Sequence, residues 1–247
     1  VALRDVGIDQ KLNQQLPLDL VFHDESGQEV KLGKYFGQKP VVLAMVYYDC
    51  PQLCTQVLNG MVTSFRALPF QIGKEFDVVT ISFDPREKPE LAALKKKVYL
   101  DYLPDKMQAD ANNGWHFLTA DPANIKGITD AVGFRYNYDE VTKQFTHASA
   151  SMLTTPEGKL SHYFYGVDYS ARDLRFGLIE ASQHKIGSVT EKLSLYCYQY
   201  DPTKGTYGAA VMRILRITGV ITLLGIIAMI FLLKPRNREE VTRSAVQ

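Results

Sequence analysis

The chain is 247 residues long and 46% hydrophobic, carries a net charge of +1 and contains three cysteines. That length buries one substantial core without requiring a second full domain. Near-neutral charge removes the electrostatic case for a nucleic-acid partner, because Lys95, Lys96 and Lys97 read as a solvated helix face and no other basic cluster precedes the C-terminal segment. Three cysteines are too few for a disulfide-built scaffold.

In chain order, residues 19–30, with Gly27 at the tip, read as a small hairpin. Residues 40–48 (PVVLAMVYY) are short, apolar and bounded by Pro40 and Asp49, the pattern of a buried strand. Leu53, Val57, Leu58, Met61, Val62 and Phe65 then recur at helical spacing, and Pro51 suits a first helical turn. A second strand covers 76–83 (FDVVTISF), closed by Asp84-Pro85, and 87–103 follow a helical pattern. Residues 115–119 (WHFLT) form another short strand, and 122–132 a helix with Asp121 as its N-cap. Pro156-Glu157-Gly158 is turn chemistry, which makes 150–155 and 160–165 a hairpin, and 169–186 closes the domain as a helix. Strand, helix, strand, then hairpin and helix is the thioredoxin order. The predicted class is therefore α/β, a thioredoxin-like fold with an extra N-terminal β-hairpin.

The composition changes abruptly at 214–233, an apolar run broken only by Arg216. At about 1.5 Å per residue it spans roughly 30 Å, the thickness of a bilayer core, and predicts one C-terminal transmembrane helix. Lys234, Arg236 and Arg238 beyond it, against Arg213 and Arg216 before it, bias the C-terminus toward the cytoplasm. Opening at Val1 fits removal of a signal peptide or a trimmed N-terminus. The predicted partition is a domain over 1–187, an aromatic linker over 188–210, a membrane helix over 211–234 and a basic cytoplasmic tail over 235–247. Gly205 to Tyr207 reads as a flexible lead into the bilayer.

The most informative motif is Cys50-Pro51-Gln52-Leu53-Cys54, placed where the first strand ends and the first helix begins. Helix-start N–H groups and the helix dipole favour thiolate over thiol there. Three residues separate the cysteines, where the thioredoxin redox motif has two, so a ligand pair fits better than a disulfide specialist. Of the histidines, His23 reads as a surface residue and His184 as a helix residue with no partner in view, while His116 and His162 fall inside strands. His147 differs, because it precedes the strand at 150 in a loop that faces the dithiol turn of a thioredoxin-type sheet. No proline occurs between Pro122 and Pro156, so the cis-proline of a thioredoxin-like reductase is missing from that loop. The site reads as one built to hold a metal.

Tyr48-Asp49-Cys50-Pro51-Gln52-Leu53-Cys54, then Ser82-Phe83-Asp84-Pro85 with Lys88-Pro89-Glu90, then His147 before a strand and the Pro156-Glu157-Gly158 turn, resemble the Sco/SenC family of copper-binding assembly proteins. The resemblance runs from about Leu16 to Lys185. It implies a thioredoxin fold with an extra hairpin and copper bound through Cys50, Cys54 and His147. It also implies a role in metallating the binuclear copper site in subunit II of cytochrome c oxidase, with Asp84 near the metal but not a ligand. Two thiolates and an imidazole suit Cu(I), whereas structural zinc normally takes a closed set of four ligands. Cu(II) can be held by the same set.

Two features depart from the family pattern. The membrane helix follows the domain instead of preceding it, and Cys197 adds a third cysteine that reads as a semi-buried residue, an auxiliary copper ligand or an intermolecular contact. The implied location is the inner membrane, single-pass, with the domain on the periplasmic side. Function divides between a copper chaperone with no net catalysis and an enzyme, a thiol-disulfide oxidoreductase acting on the subunit II cysteines through Cys50 and Cys54. A permanent accessory subunit of a respiratory complex is a third reading.

Overall fold

The computed structural model describes residues 6–50, 53–185, 200–201, 206–207 and 209–233, with side chains for 6–50, 53–185 and 216–230. The chain divides into two compact units, Val1–Ser188 and Val189–Gln247.

The first unit is organised by a five-stranded sheet. Its centre is β4 (Val41–Val46), whose six residues are all buried, as a continuous apolar run in a parallel sheet requires. It pairs in parallel with β5 (Asp77–Ser82), which pairs in parallel with β6 (Trp115–Leu118). On its other side β4 pairs antiparallel with β9 (Ala150–Thr154), and β9 with β10 (Leu160–Tyr165). The order β10-β9-β4-β5-β6 is the mixed α/β sheet expected from the sequence. Helix α1 (Leu53–Ala67) crosses from β4 to β5. Gly60 lets it approach a loop closely: a Cβ there would lie 1.7 Å from the Val167 carbonyl oxygen. The N-terminal hairpin is present as β2 (Val21–His23) and β3 (Glu29–Lys31), after a two-residue β1 (Gly7–Ile8).

Between β5 and β6 the chain forms two helices, α2 (Pro89–Asp101) and α3 (Asp105–Gly114), where the sequence reading had one. The second has few apolar residues (DKMQADANNG) and anchors through Met107 and Ala111, too thin a stripe to register as periodicity. Helix α4 (Pro122–Val132) matches its expected bounds, with the Asp121 side chain accepting from the Asn124 N–H at 2.8 Å. Gly133, at φ 70°, closes it in the left-handed conformation that glycine adopts without strain. The chain then enters a hairpin the sequence reading lacked: β7 (Phe134–Asp139) and β8 (Gln144–His147), which with β1 make a separate three-stranded sheet ordered β1-β7-β8. Helix α5 (Ala171–Ser182), capped by Ser170, ends the unit.

In the second unit β11 (Tyr200–Asp201) pairs antiparallel with β12 (Thr206–Tyr207), so the latter two residues are a strand and not a loose lead. Helix α6 follows over Ala209–Leu233. Its described side chains, 216–230, are exposed, and Ile217, Val220, Ile221, Leu223 and Leu224 are each more than half exposed. Among the described residues no helix is long and apolar enough to cross a membrane; residues 216–230 by themselves span about 22 Å at roughly 1.5 Å per residue, short of the ~30 Å hydrocarbon core. Cys197 and the charges at Lys234, Arg236 and Arg238 lie outside the described residues.

Candidate metal centre

The chain leaving β4 is pinned before it reaches the first cysteine. The Tyr48 ring is buried, its hydroxyl 2.8 Å from the Leu118 carbonyl oxygen and 3.1 Å from that of Thr80. The Glu87 carboxylate accepts from the N–H groups of Tyr48 and Asp49, each at 2.7 Å, and from the Ser82 hydroxyl at 2.5 Å. Burial raises the pKa of Glu87 in spite of these donors, so its place is set by the loop it organises. The next residue is Cys50.

Cys50 and Cys54 are 8% and 2% exposed and are not bridged to each other. The Cys54 N–H points at Cys50 Sγ, 3.3 Å away, and the Tyr47 N–H points at Cys54 Sγ, 3.4 Å away. His147, the last residue of β8, brings Nε2 to 3.3 Å from Cys54 Sγ. Its Nδ1 lies 2.8 Å from the Ala148 carbonyl oxygen, which only accepts, so Nδ1 carries the proton and Nε2 presents its lone pair to the sulfurs. The ligand atoms of Cys50, Cys54 and His147 lie within 4.8 Å of one another, the one such group of three among the described residues. His147 as a residue is half-buried, while its ligand atom sits in the buried group.

The thiolate expectation fails for Cys54. Burial pushes its pKa well up, and the neighbouring Cys50 adds to the shift, outweighing both the helix start and the Tyr47 N–H. Burial thus favours the thiol form of Cys54 in the metal-free protein. A cation that takes the place of the thiol protons meets two sulfurs and one nitrogen already gathered.

Rings enclose the histidine. Phe83, Tyr47 and Phe134 lie with centroids 5.2, 5.9 and 6.0 Å from the His147 ring. Asp84, next to Phe83, is buried and held by Arg86 through Nε at 2.8 Å and Nη2 at 2.6 Å. It is outside the three-ligand group and adjoins the centre through its neighbour's ring. The Arg86 guanidinium lies over the rings of Tyr138 (4.8 Å) and Phe145 (5.4 Å), tying the Asp84 turn to the β7–β8 hairpin.

The other histidines are structural. His23 is exposed, His116 packs against Tyr35 at 4.3 Å, and His162 Nε2 meets Glu180 at 2.8 Å. His184, assigned no partner from the sequence, meets the Glu157 carboxylate of the β9–β10 turn at 2.9 Å. Sequence reasoning placed His147 in a loop, yet Phe134, Tyr136 and Tyr138, then Phe145 and His147, alternate with period two, a strand signal that was available. Glu87 and Tyr47 were missed and had no comparable signal.

The SCO1/SenC family model matches residues 9–175. No curated protein sequence matches the chain. Among solved structures, a proposed electron transfer protein from Aquifex aeolicus VF5 is similar at 25% identity and TM-score 0.62, covering 70% of this chain and 95% of that one. BsSco, described as a member of the Sco family of cytochrome c oxidase assembly proteins with a disulfide switch, is similar at 20% identity and TM-score 0.52, covering 72% and 99%. Yeast Sco1 with copper bound is similar at 18% identity and TM-score 0.52, covering 72% and 94%. The last two likenesses carry the fold alone. Sco structures with copper bound exist, and this chain has a Cys-Cys-His group able to hold a metal. Its sheet order, its motif order and a family match over most of its length agree: the chain belongs to the SCO1/SenC family.

Proposed function

We propose that this protein takes up copper at Cys50, Cys54 and His147 and passes it to a cytochrome c oxidase during assembly, with the binuclear copper site of subunit II as recipient. The observation that carries the reading is the gathering of three ligand atoms within 4.8 Å. Two soft sulfurs and one imidazole favour copper over zinc, for which the described residues gather no fourth ligand. A three-ligand set leaves a position at which a recipient's ligand can attack, so cargo can be handed on by exchange. Uptake displaces thiol protons and depends on reduced cysteines; loss of two electrons and two protons to an oxidant would join them as a disulfide and close the site.

The exposed apolar side chains of α6 and the longer apolar run at 214–233 support a tethered domain. In this reading the linker spans 188–210, the membrane helix 211–234 and the cytoplasmic tail 235–247, with the copper face on the outer side of the inner membrane. Cys197 is then near the bilayer surface as an auxiliary ligand or an intermolecular contact. The thiol-disulfide oxidoreductase reading draws on one contact, the Cys54 N–H aimed at Cys50 Sγ.

Copper analysis and X-ray absorption of the reduced protein test the proposal. About one copper per chain with sulfur and nitrogen scatterers is the expected result. His147→Ala should keep thiol chemistry but bind copper weakly. Undiminished binding in the double Cys50→Ala, Cys54→Ala variant would overturn the ligand set. In cells lacking the protein, extra copper should partly restore oxidase; rescue by a small thiol and not by copper would favour the oxidoreductase. Labelling of intact cells with a membrane-impermeant thiol reagent should reach the cysteines if the domain faces outward.

A further inference from the structure

Adjacent residues of a strand ordinarily point to opposite faces, yet Ser161 and His162 of β10 bond to each other and act together at the end of α5. A bulge allows it. The register with β9 slips between Leu160, opposite Thr154, and His162, opposite Leu153, so Ser161 is the extra residue and the local side chains are re-aimed. Both are buried. The His162 ring stacks on Phe164 with centroids 6.2 Å apart, and α5 comes close at Gly177, where a Cβ would lie 3.7 Å from Cγ of the imidazole. From there a line of contacts runs past the last turn of the helix. Glu180 Oε2 is 2.8 Å from His162 Nε2, His162 Nδ1 is 2.7 Å from Ser161 Oγ, and Ser161 Oγ is 2.8 Å from the Lys185 carbonyl oxygen. The Lys185 N–H bonds back to the Glu180 carbonyl oxygen at 2.9 Å, so the line begins and ends at the same helix terminus.

We propose that Ser161, His162 and Glu180 form a proton-operated latch on the C-terminal end of this unit, closed onto the Lys185 carbonyl when His162 is an imidazolium and released there when it is neutral. The basis is a count of protons. Each of the three contacts needs one, and an ionised carboxylate and a carbonyl only accept. Ser161 supplies one proton and a neutral His162 one more. With those two, Nε2–H serves Glu180, the Ser161 hydroxyl turns to the Nδ1 lone pair, and the Lys185 carbonyl loses its donor. A third proton, taken from water, lets Nδ1–H donate to Ser161 while Ser161 donates to Lys185, and Glu180 supplies the counter-charge. The clasped carbonyl lies three residues before the boundary between the two units at Ser188, so the latch governs how firmly the end of the first unit is held to β10. The groups around His162 are Glu180 from α5, Leu153 from β9 and Phe164 from β10. The exposed pair of His184 and Glu157, 2.9 Å apart, joins the same segment to the β9–β10 turn and is a second histidine to be removed in any test.

The experiment follows amide hydrogen exchange in the full-length chain carrying His184→Asn, with intrinsic exchange corrected at each pH. Asparagine tolerates the φ of 59° at that position. The readout is protection at positions 183–185, whose N–H groups bond to the carbonyls of Ile179, Glu180 and Ala181. Between about pH 5 and pH 8, where histidine gives up its proton, protection there should fall. The expected fall is about three- to tenfold, the worth of one hydrogen bond. Adding Ser161→Ala should give the low protection at both ends of the range. Adding His162→Gln, which cannot titrate, should abolish the fall. Glu180→Gln keeps an acceptor for Nε2 without the counter-charge, so release should come at lower pH; its partly exposed position covers the case in which the two buried variants fold poorly. Protection in β4 and β5 should be the same in all of them. A fall of equal size in His162→Gln, protection in Ser161→Ala equal to that of the parent at both ends, or release at an unchanged pH in Glu180→Gln would overturn the latch.

Discussion

The three side chains gathered at the candidate metal centre come from two regions built differently. Cys50 and Cys54 follow β4, a strand buried at every position, paired on both sides and ended by a turn whose backbone donors are taken by Glu87. His147 ends β8, whose four residues are half-buried or exposed, in a hairpin whose tip holds Val141 at 91% exposure. One region is fixed by core packing and one by a few ring contacts and Arg86. If a bound ion were exchanged at this centre, one side chain would have to leave before the others, and the weaker support under His147 would make it the first to go. Segments with few buried apolar contacts are also those that open first in a folded protein.

Glu87→Ala attacks the fixed region where it is strongest. It removes the acceptor for the Tyr48 N–H, the Asp49 N–H and the Ser82 hydroxyl. A buried donor left without a partner costs about 1–3 kcal/mol, and relaxation of the turn should recover part of the sum, leaving a loss on the order of 3 kcal/mol. Urea unfolding should show that loss, and competition titration should show copper affinity reduced more than tenfold because Cys50 is the next residue. A stability equal to wild type would mean that core packing and not Glu87 sets the turn.

A second, smaller effect belongs to the N-terminal β2–β3 hairpin, outside both regions. Burial alone would raise the Glu25 pKa, but the His116 ring 3.7 Å away and the Lys96 ammonium bonded to the carboxylate outweigh it, and the pKa falls from 4.5 to about 2. The folded value lies below the unfolded one, so the stabilisation is full above about pH 4.5 and is lost as pH falls toward 2. With partial solvent exposure allowed for, its size is on the order of 1–2 kcal/mol. Glu25 binds the β2–β3 hairpin to α2 through Lys96 and to β6 through the Phe117 N–H at 3.2 Å. Melting temperature against pH should therefore drop between pH 4.5 and 2, and Glu25→Gln should flatten that limb. An unchanged limb in the variant would place the acid sensitivity elsewhere.

The contrast between the two regions also explains what the sequence disclosed. The run VVLAMV and the spacing of Leu53 to Phe65 are strong periodic signals, so the strand, the helix and the cysteines between them were legible at once. His147 was legible as a candidate ligand by its position before β9, but its hairpin was not, because the turn over 140–143 carries no glycine or proline and the strands are polar on one face. Glu87 was illegible for another reason. It lies between Arg86 and Lys88 in a charged stretch, and only the tertiary meeting of the β5 end with the Cys50 turn buries it. Asp84 was expected beside the centre only from the family resemblance, while its pairing with Arg86 is framed by Tyr138 and Phe145 arriving from the unpredicted hairpin.

The smallest expected effect tests the clasp between the regions. Arg86 holds Asp84 on one side and, through Nη1, meets the Tyr138 hydroxyl at 2.9 Å on the other. Tyr138→Phe deletes that bond while leaving the ring under the guanidinium and the Asp84 pair in place. A solvent-accessible hydrogen bond to a charged donor of this kind is worth about 0.5–1.5 kcal/mol. The loss should fall on the hairpin alone, because β4 and β5 make no contact through Tyr138 that the substitution removes. Hydrogen exchange should therefore quicken at the amides of β7 and β8 and stay unchanged in β4 and β5, which should already exchange more slowly in the wild type. Copper should dissociate about two- to threefold faster, since the freed end of the hairpin carries the ligand that leaves first. Equal exchange in the two regions of the wild type would remove the distinction on which this order of release depends.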